Sequence, residues 1–277
     1  MAKLRISLAQ MTVTSGNERK NGEVMQGMVE EAVRRGSQLV VLPEMWSSGY
    51  AMEKWYDLAA PLNAGVFAQT STAAQQQRIC VLGSMPEKRG TGVSDSAAFF
   101  SPNGSILGVY RKIHLFKPMG EDRHLIAGRA PLNIDLPWGK TGIAICYDLR
   151  FPELFRRYGV DRAVLVLVPS AWPLARIEHW RTLLKARAIE NQYFVVGCNC
   201  VGEAQTDEGQ TVFGGHSAII DPWGETVLEA GTMPGLYTTD IELDLVSQVR
   251  QRIPVLEDRR PDTYGLDDIM SQLDFGK

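Results

Sequence analysis

Leu39-Val-Val-Leu-Pro-Glu44 is an unbroken apolar run closed by a proline and a carboxylate. Four consecutive apolar residues leave no polar face, so the run reads as a strand covered on both sides, as strands of a parallel sheet are. What precedes it agrees. Leu4, Ile6 and Leu8 alternate with Arg5, Ser7 and Ala9, and then Val24, Met25, Met28, Val29, Ala32 and Val33 recur at helical spacing until Gly36. Strand, helix and strand in that order predict a parallel pair joined by a right-handed crossover. Glu44 then stands just past the carboxyl end of a central strand, where α/β sheets collect ligand-handling residues. Taken alone, an exposed loop charge is the simpler reading.

Working outward, residues 65–78 read as a helix and 79–83 as a short apolar strand. Residues 97–100 and 106–110 flank Ser101-Pro-Asn-Gly104, whose Pro and Gly placement suits a type I turn. The hairpin's second strand runs into Tyr110-Arg-Lys-Ile-His-Leu-Phe116, which puts Lys112 directly after a regular element. Residues 116–129 mix Pro, Gly and both charges around Glu121, as a loop bordering a site does. Further strands are expected at 132–136, 142–145, 163–168 and 193–197, with helices at 152–158 and 176–192. Trp172 lies just past the run 163–168, as a candidate pocket wall or a packed core residue.

A second hairpin, 217–220 with 226–229, turns at Asp221-Pro-Trp-Gly224 with the same Pro and Gly offsets as the first. The chain thus repeats an architecture with little residue identity. Two similar sheets packed face to face, each covered outside by helices, give a four-layer α-β-β-α sandwich. One domain over residues 1–277 is expected. Residues from about 243 to 277 start as a helix, become irregular at 252–261, and are apolar enough that packing on a neighbouring subunit is expected.

Composition narrows the partners. A formal net charge of −3 over 277 residues gives no electrostatic footprint for nucleic acid or an anionic membrane. No run approaches the ~18 apolar residues of a membrane span, and the amino terminus lacks the apolar length of a signal peptide. We therefore expect a cytoplasmic protein acting on a small molecule. Cys80, Cys146, Cys198 and Cys200 fall in or beside apolar runs, which suits reduced thiols.

Thr141-Gly-Ile-Ala-Ile-Cys-Tyr-Asp-Leu-Arg-Phe-Pro-Glu-Leu154 places Cys146 between a buried strand and a helix start. Backbone N–H groups and a helix dipole at such an elbow are expected to lower the thiol pKa from about 8.5 toward neutrality. A small buried core residue is the alternative. Glu44, Lys112 and Cys146, all at strand ends, make a complete set for amide hydrolysis: a base, a fixed cation for an oxyanion and a nucleophile. This chemistry calls for no metal and no cofactor, and no motif for either is found.

At these residues the sequence resembles the nitrilase superfamily of carbon–nitrogen hydrolases, through Leu42-Pro-Glu-Met45, Tyr110-Arg-Lys-Ile-His-Leu115 and 142–153. Residues 186–192, Gly215-His-Ser217, Asp221-Pro-Trp-Gly224 and Arg260-Pro-Asp-Thr-Tyr264 extend the likeness over nearly the whole chain. The resemblance implies Glu44 as general base, Lys112 as oxyanion stabiliser, Cys146 as nucleophile and Glu121 as a second glutamate orienting substrate and lysine. It also implies that the Tyr147 N–H completes the oxyanion hole, that the fold is the α-β-β-α sandwich, and that subunits pair into homodimers or higher assemblies.

Within the superfamily the sequence is similar to the omega-amidase and deaminated-glutathione-amidase group, through His114-Leu-Phe116, Met119-Gly-Glu-Asp-Arg123 and Asp148-Leu-Arg-Phe-Pro152. That resemblance implies a small omega-monoamide of a dicarboxylate as substrate. Its anionic tail needs a cation, which Arg150 or Arg123 can supply, unless Arg150 instead pairs with Asp148 or Glu153. A nitrilase or an N-carbamoyl amidohydrolase would use the same residues. A Cys-His hydrolase would need His114, His124, His179 or His216 beside Cys146, and none has a supporting local signature.

Overall fold

The computed structural model describes residues 3–264. The first sheet forms from β1 (Lys3–Gln10), β2 (Leu39–Val41), β3 (Cys80–Arg89), β4 (Gly92–Phe100) and β5 (Ile106–Arg111). The second holds β6 (Leu132–Leu136), β7 (Gly139–Ile143), β8 (Leu165–Ser170) and β9 (Phe194–Asn199). A separate hairpin, β10 (Val201–Thr206) with β11 (Gly209–Gly214), stands outside both. β12 (Ala218–Ile220) and β13 (Thr226–Glu229) finish the second sheet, and β14 (Gly235–Glu242) returns to the first.

The six-stranded orders are β14-β1-β2-β3-β4-β5 and β6-β7-β8-β9-β12-β13. They correspond strand for strand. In each, the outer first strand is antiparallel to its neighbour, the next three are parallel, and the last two return antiparallel. The expected repeat is therefore a property of the backbone.

Helices α1 (Glu18–Arg34), the single-turn α2 (Trp55–Leu58) and α3 (Gly65–Gln77) belong to the first half, α4 (Pro152–Val160) and α5 (Ile177–Asn191) to the second. Asn17 caps α1 by accepting from the Lys20 amide, and Met25, Val29 and Ala32 form its buried stripe. That stripe packs with Val40, Leu42, Val66, Phe67, Val81 and Phe100, closing the outer face of the first sheet. On the other side of the molecule, Phe155, Tyr158, Trp180 and Leu184 cover the second sheet. Between the sheets, Ile6, Leu8, Leu39, Val41, Leu82 and Phe99 are buried in one cluster with Ile143, Leu165, Leu167 and Val196. The four layers are α-β-β-α.

Three elements differ from the sequence reading. β14 pairs with β1 along its whole length, from Lys3 opposite Glu242 to Gln10 opposite Gly235, and the hydrophobic pattern does not announce a partner 230 residues away. The β10–β11 hairpin looks like a polar loop because Glu203, Gln205 and Gln210 face outward. β3 and β4 run on past the expected 79–83 and 97–100, and meet at Gly90, whose positive φ of 56° suits glycine.

After β14 comes α6 (Asp244–Arg252). The chain that follows holds to its own fold: Arg250 donates to the Ala163 carbonyl at 2.7 Å, Gln192 donates to the Ile253 carbonyl at 2.7 Å, and Arg162 pairs with Glu257 at 2.7 Å. Residues 265–277 of the expected tail lie outside the described residues. Among the described residues no helix is long and apolar enough to cross a membrane.

Candidate active site

The ends of corresponding strands meet at the site. β2 ends before Pro43-Glu44 and its counterpart β8 ends at Ser170. The Glu44 amide donates to the Ser170 carbonyl at 3.3 Å, and the Ala171 amide donates to Glu44 Oε2 at 2.8 Å. Glu44 Oε1 accepts from Lys112 Nζ at 2.7 Å, so both carboxylate oxygens are fixed by bonds from opposite sheets. Glu44 and Lys112 are each 1% exposed.

Lys112 follows β5 and is bound from its other side by Glu121, 2.8 Å from Oε1 and 2.7 Å from Oε2. Glu121 also accepts from the Tyr50 hydroxyl at 2.9 Å and the Phe116 amide at 2.8 Å, which ties the 116–121 loop to the ammonium. Burial works against a charged Lys112, but Glu121 and Glu44 outweigh it and carry its pKa well above the usual lysine range. Burial lifts the Glu121 carboxyl and Lys112 restrains it.

Cys146 sits with φ at 44°, a left-handed conformation that non-glycine residues adopt at a cost and that is enriched at functional turns. The turn is held from beneath by Asp148. Its carboxylate accepts from the Ile145 amide at 2.9 Å, the Tyr110 hydroxyl at 2.7 Å and the His114 amide at 3.0 Å, and lies 2.7 Å from His114 Nδ1. One buried carboxylate thus joins the Cys146 turn to the segment carrying Lys112. Arg187, in the 186–192 stretch, adds a bond to the Leu149 carbonyl at 3.0 Å.

The expectation of an acidic thiol is corrected by this geometry. Residues 146–150 form a 3-10 turn, α4 starts only at Pro152, and Cys146 is buried next to carboxylates. Burial, then the charge of Glu44, pushes the thiol well above its ordinary pKa; Lys112 and the Ala171 amide pull the other way. At rest the thiol form of Cys146 is favoured over the thiolate.

Cys146, Glu121, Tyr147, Arg150 and Trp172 line one pocket with Tyr50, Phe116, Met119, Ala171, Pro173 and Arg176. Arg150 lies 4.8 Å above the Trp172 ring, and its nearest polar partner is His179 Nδ1 at 3.3 Å. Among the described residues no carboxylate pairs with it, so the Asp148 and Glu153 alternatives do not hold. Arg176 shares the rim but is matched by Glu208 at 2.7 Å. Arg123 is not brought to the pocket; it is an exposed residue paired with Asp207. The four histidines are engaged elsewhere: His114 with Asp148 and stacked on Phe151, His124 against Trp55, His179 with Arg150, and His216 with Glu229. Among the described residues no cluster of His, Cys, Asp or Glu could hold a metal ion.

Sequence reasoning missed Tyr50, Asp148 and Arg176. Tyr50 and Arg176 carry no local signal, since each gains its place through a loop. Asp148 was legible only as part of the Cys146 motif.

A buried thiol, two carboxylates and one ammonium lie together at the meeting of two such sheets. The carbon–nitrogen hydrolase family model matches residues 5–251, and the chain belongs to that family, whose members hydrolyse carbon–nitrogen bonds. The chain is 35% identical to 2-oxoglutaramate amidase of Bacillus subtilis (strain 168), covering 95% of this chain and all of that protein. It is 33% identical to omega-amidase NIT2 of Mus musculus, covering 95% and 98%. Among solved structures, the CN-hydrolase superfamily protein XC1258 of Xanthomonas campestris, with an arsenic adduct in its active site, superposes with a TM-score of 0.87. It is 32% identical, covering 94% of this chain and 98% of that one.

Proposed function

We propose that this enzyme hydrolyses the terminal carboxamide of a small omega-monoamide of a dicarboxylate, releasing ammonia and leaving a second carboxylate. The reading is supported above all by the placement of Arg150, a pocket cation with no carboxylate partner among the described residues, in the same cavity as Cys146. Arg150 is only partly buried, but even that burial works against its unmatched charge and lowers its pKa. An anionic substrate tail supplies the missing charge through a bidentate pair. The names of the amidase relatives point to the same substrate class.

In the proposed cycle Glu44 takes the Cys146 proton as Sγ bonds to the amide carbon. One N–H of Lys112 remains beyond those held by Glu44 and Glu121, and with the Tyr147 N–H it stabilises the oxyanion. The carbon–nitrogen bond then breaks as Glu44 returns its proton to the departing nitrogen, leaving ammonia and a Cys146 thioester. Water gives a proton to Glu44 and attacks the thioester; the carbon–sulfur bond breaks, and the proton returns to sulfur. Amide plus water becomes acid plus ammonia. Glu121 positions Lys112, and Trp172 walls the pocket beneath Arg150.

We further propose a cytoplasmic homodimer or higher assembly. Reduced thiols suit the first, and all four cysteines are free and buried. Exposed Val160 and Ile189, on α4 and α5, offer apolar surface for the second. Ammonia release across omega-amides, neutral amides, N-carbamoyl compounds and nitriles tests the substrate reading. Turnover confined to omega-amides with an anionic tail is expected; preference for nitriles or carbamoyl compounds would contradict it.

A further inference from the structure

One carboxyl in the charged cluster has no part in that cycle. Asp95, on β4, is 1% exposed, and its backbone carbonyl accepts the Lys112 amide at 3.0 Å. Its side chain contacts Glu44 and Ser84, and Ser84 Oγ in turn accepts the amide of Met45, the residue after Glu44, at 2.9 Å. Among the described residues, Asp95 Oδ1 accepts no hydrogen bond.

Charge counting decides its state. The single ammonium of the cluster, Lys112, is already shared by two carboxylates, Glu44 and Glu121. The other titratable groups facing this space, Tyr50 and Cys146, offer no positive charge, and both lie within the electrostatic reach of these acids. Glu87 and Arg111, on the adjoining strands, neutralise each other at 2.7 Å, with Ser96 bonded to Glu87. A third carboxylate here would be an uncompensated buried charge with an orphaned oxygen. A neutral acid has neither fault, because it brings a donor of its own.

We propose that Asp95 is a positioning residue that carries a proton at working pH and donates it in a hydrogen bond to Glu44, holding that carboxylate aimed at Cys146. Burial first, then the charge of Glu44, pushes the Asp95 carboxyl well above the carboxylate range, while Lys112 opposes them. Like acids in contact titrate as a pair, and the one with fewer other donors keeps the proton. Glu44 has Lys112 and the Ala171 amide, whereas Asp95 faces only Ser84 and Glu44 itself.

The inference rests on the proposed role of Glu44, so two readouts are needed. Asp95→Ala removes the donor: kcat should fall about tenfold to a hundredfold, the scale of one hydrogen bond to a charged group. Asp95→Asn supplies a neutral donor and should restore kcat. An Asn variant as impaired as the Ala variant, or an Ala variant with the wild-type kcat, overturns the proposal. Infrared difference spectra between wild type and Asp95→Asn at neutral pH test the proton without turnover. A protonated-carboxyl C=O band lost in the variant is expected, and its absence from wild type overturns the proposal. If no amide is turned over, the functional reading fails while the infrared band still decides the state of Asp95.

Discussion

The first sheet and the second share strand order and pairing pattern, yet they bring different chemistry to their common edge. The first places Glu44 after β2, Lys112 after β5 and Asp95 within β4, all of them buried. The second places Cys146 after β7 and the Ala171 amide after the apolar β8. Corresponding strand ends, β2 and β8, are stitched together by the two bonds between Glu44 and residues 170–171. Cys146, however, follows the counterpart of β1, so Cys146 and Glu44 do not occupy equivalent positions. A repeated scaffold has been used for its rigidity and for where its strands end, while the functional groups are distributed unequally. The charged half fixes its ions by hydrogen bonds, and burial in the other half favours the thiol form of Cys146.

Removing the one reactive group of the second half has the largest expected effect. Cys146→Ala should lower ammonia release by about 10⁴-fold or more with an unchanged far-ultraviolet circular dichroism spectrum. Next, breaking the charged half at its centre should cost both activity and stability. Lys112→Met leaves Glu44 and Glu121 without their cation, and urea unfolding should show a loss of about 3–5 kcal/mol. At the pocket mouth, Arg150→Met should raise KM about tenfold to a hundredfold for amides with a carboxylate tail and leave neutral amides unaffected. Equal losses for both classes would show that Arg150 only shapes the Trp172 wall.

The smallest expected effect concerns pH. A group whose folded pKa lies above its unfolded value favours the fold below the unfolded pKa and loses that contribution as pH rises through the folded one. Asp95 is such a group, so wild type should lose stability as pH rises from about 4, and Asp95→Asn should not lose that portion. The variant's stability relative to wild type should therefore be greater at pH 8 than at pH 4, read by denaturant titration. Lys112 obeys the same rule at the far end of the scale: its contribution is complete below its unfolded pKa and is lost only in strong alkali.

Much of the first-half chemistry is visible in the sequence because it is local. Leu39 to Glu44 spells a buried strand with a carboxylate at its end, and Lys112 follows a hairpin strand directly. The Cys146 turn is similarly legible, but its electrostatics are not. The elbow suggests a dipole-activated thiolate, while the folded chain surrounds the sulfur with carboxylates contributed by residues 44 and 121, which no window around 146 contains. β14 escapes for the same reason of distance, since Arg5 and Asp240 meet only after the sheet closes. Asp95 reads in isolation as a polar residue near a turn. Its isolation from water and from donors exists only once β3, β4 and β5 have paired.

The proposed cycle passes through a covalent thioester at Cys146, and intact-mass spectrometry of rapidly quenched reactions with an omega-monoamide measures it directly. The Glu44→Gln variant, slowed in attack and in release, and the wild type should both be compared with Cys146→Ala. The account predicts an acyl adduct, mapped to Cys146, that forms with one equivalent of ammonia before the acid product is released. Ammonia release without any adduct at Cys146, or continuing in Cys146→Ala, would contradict it.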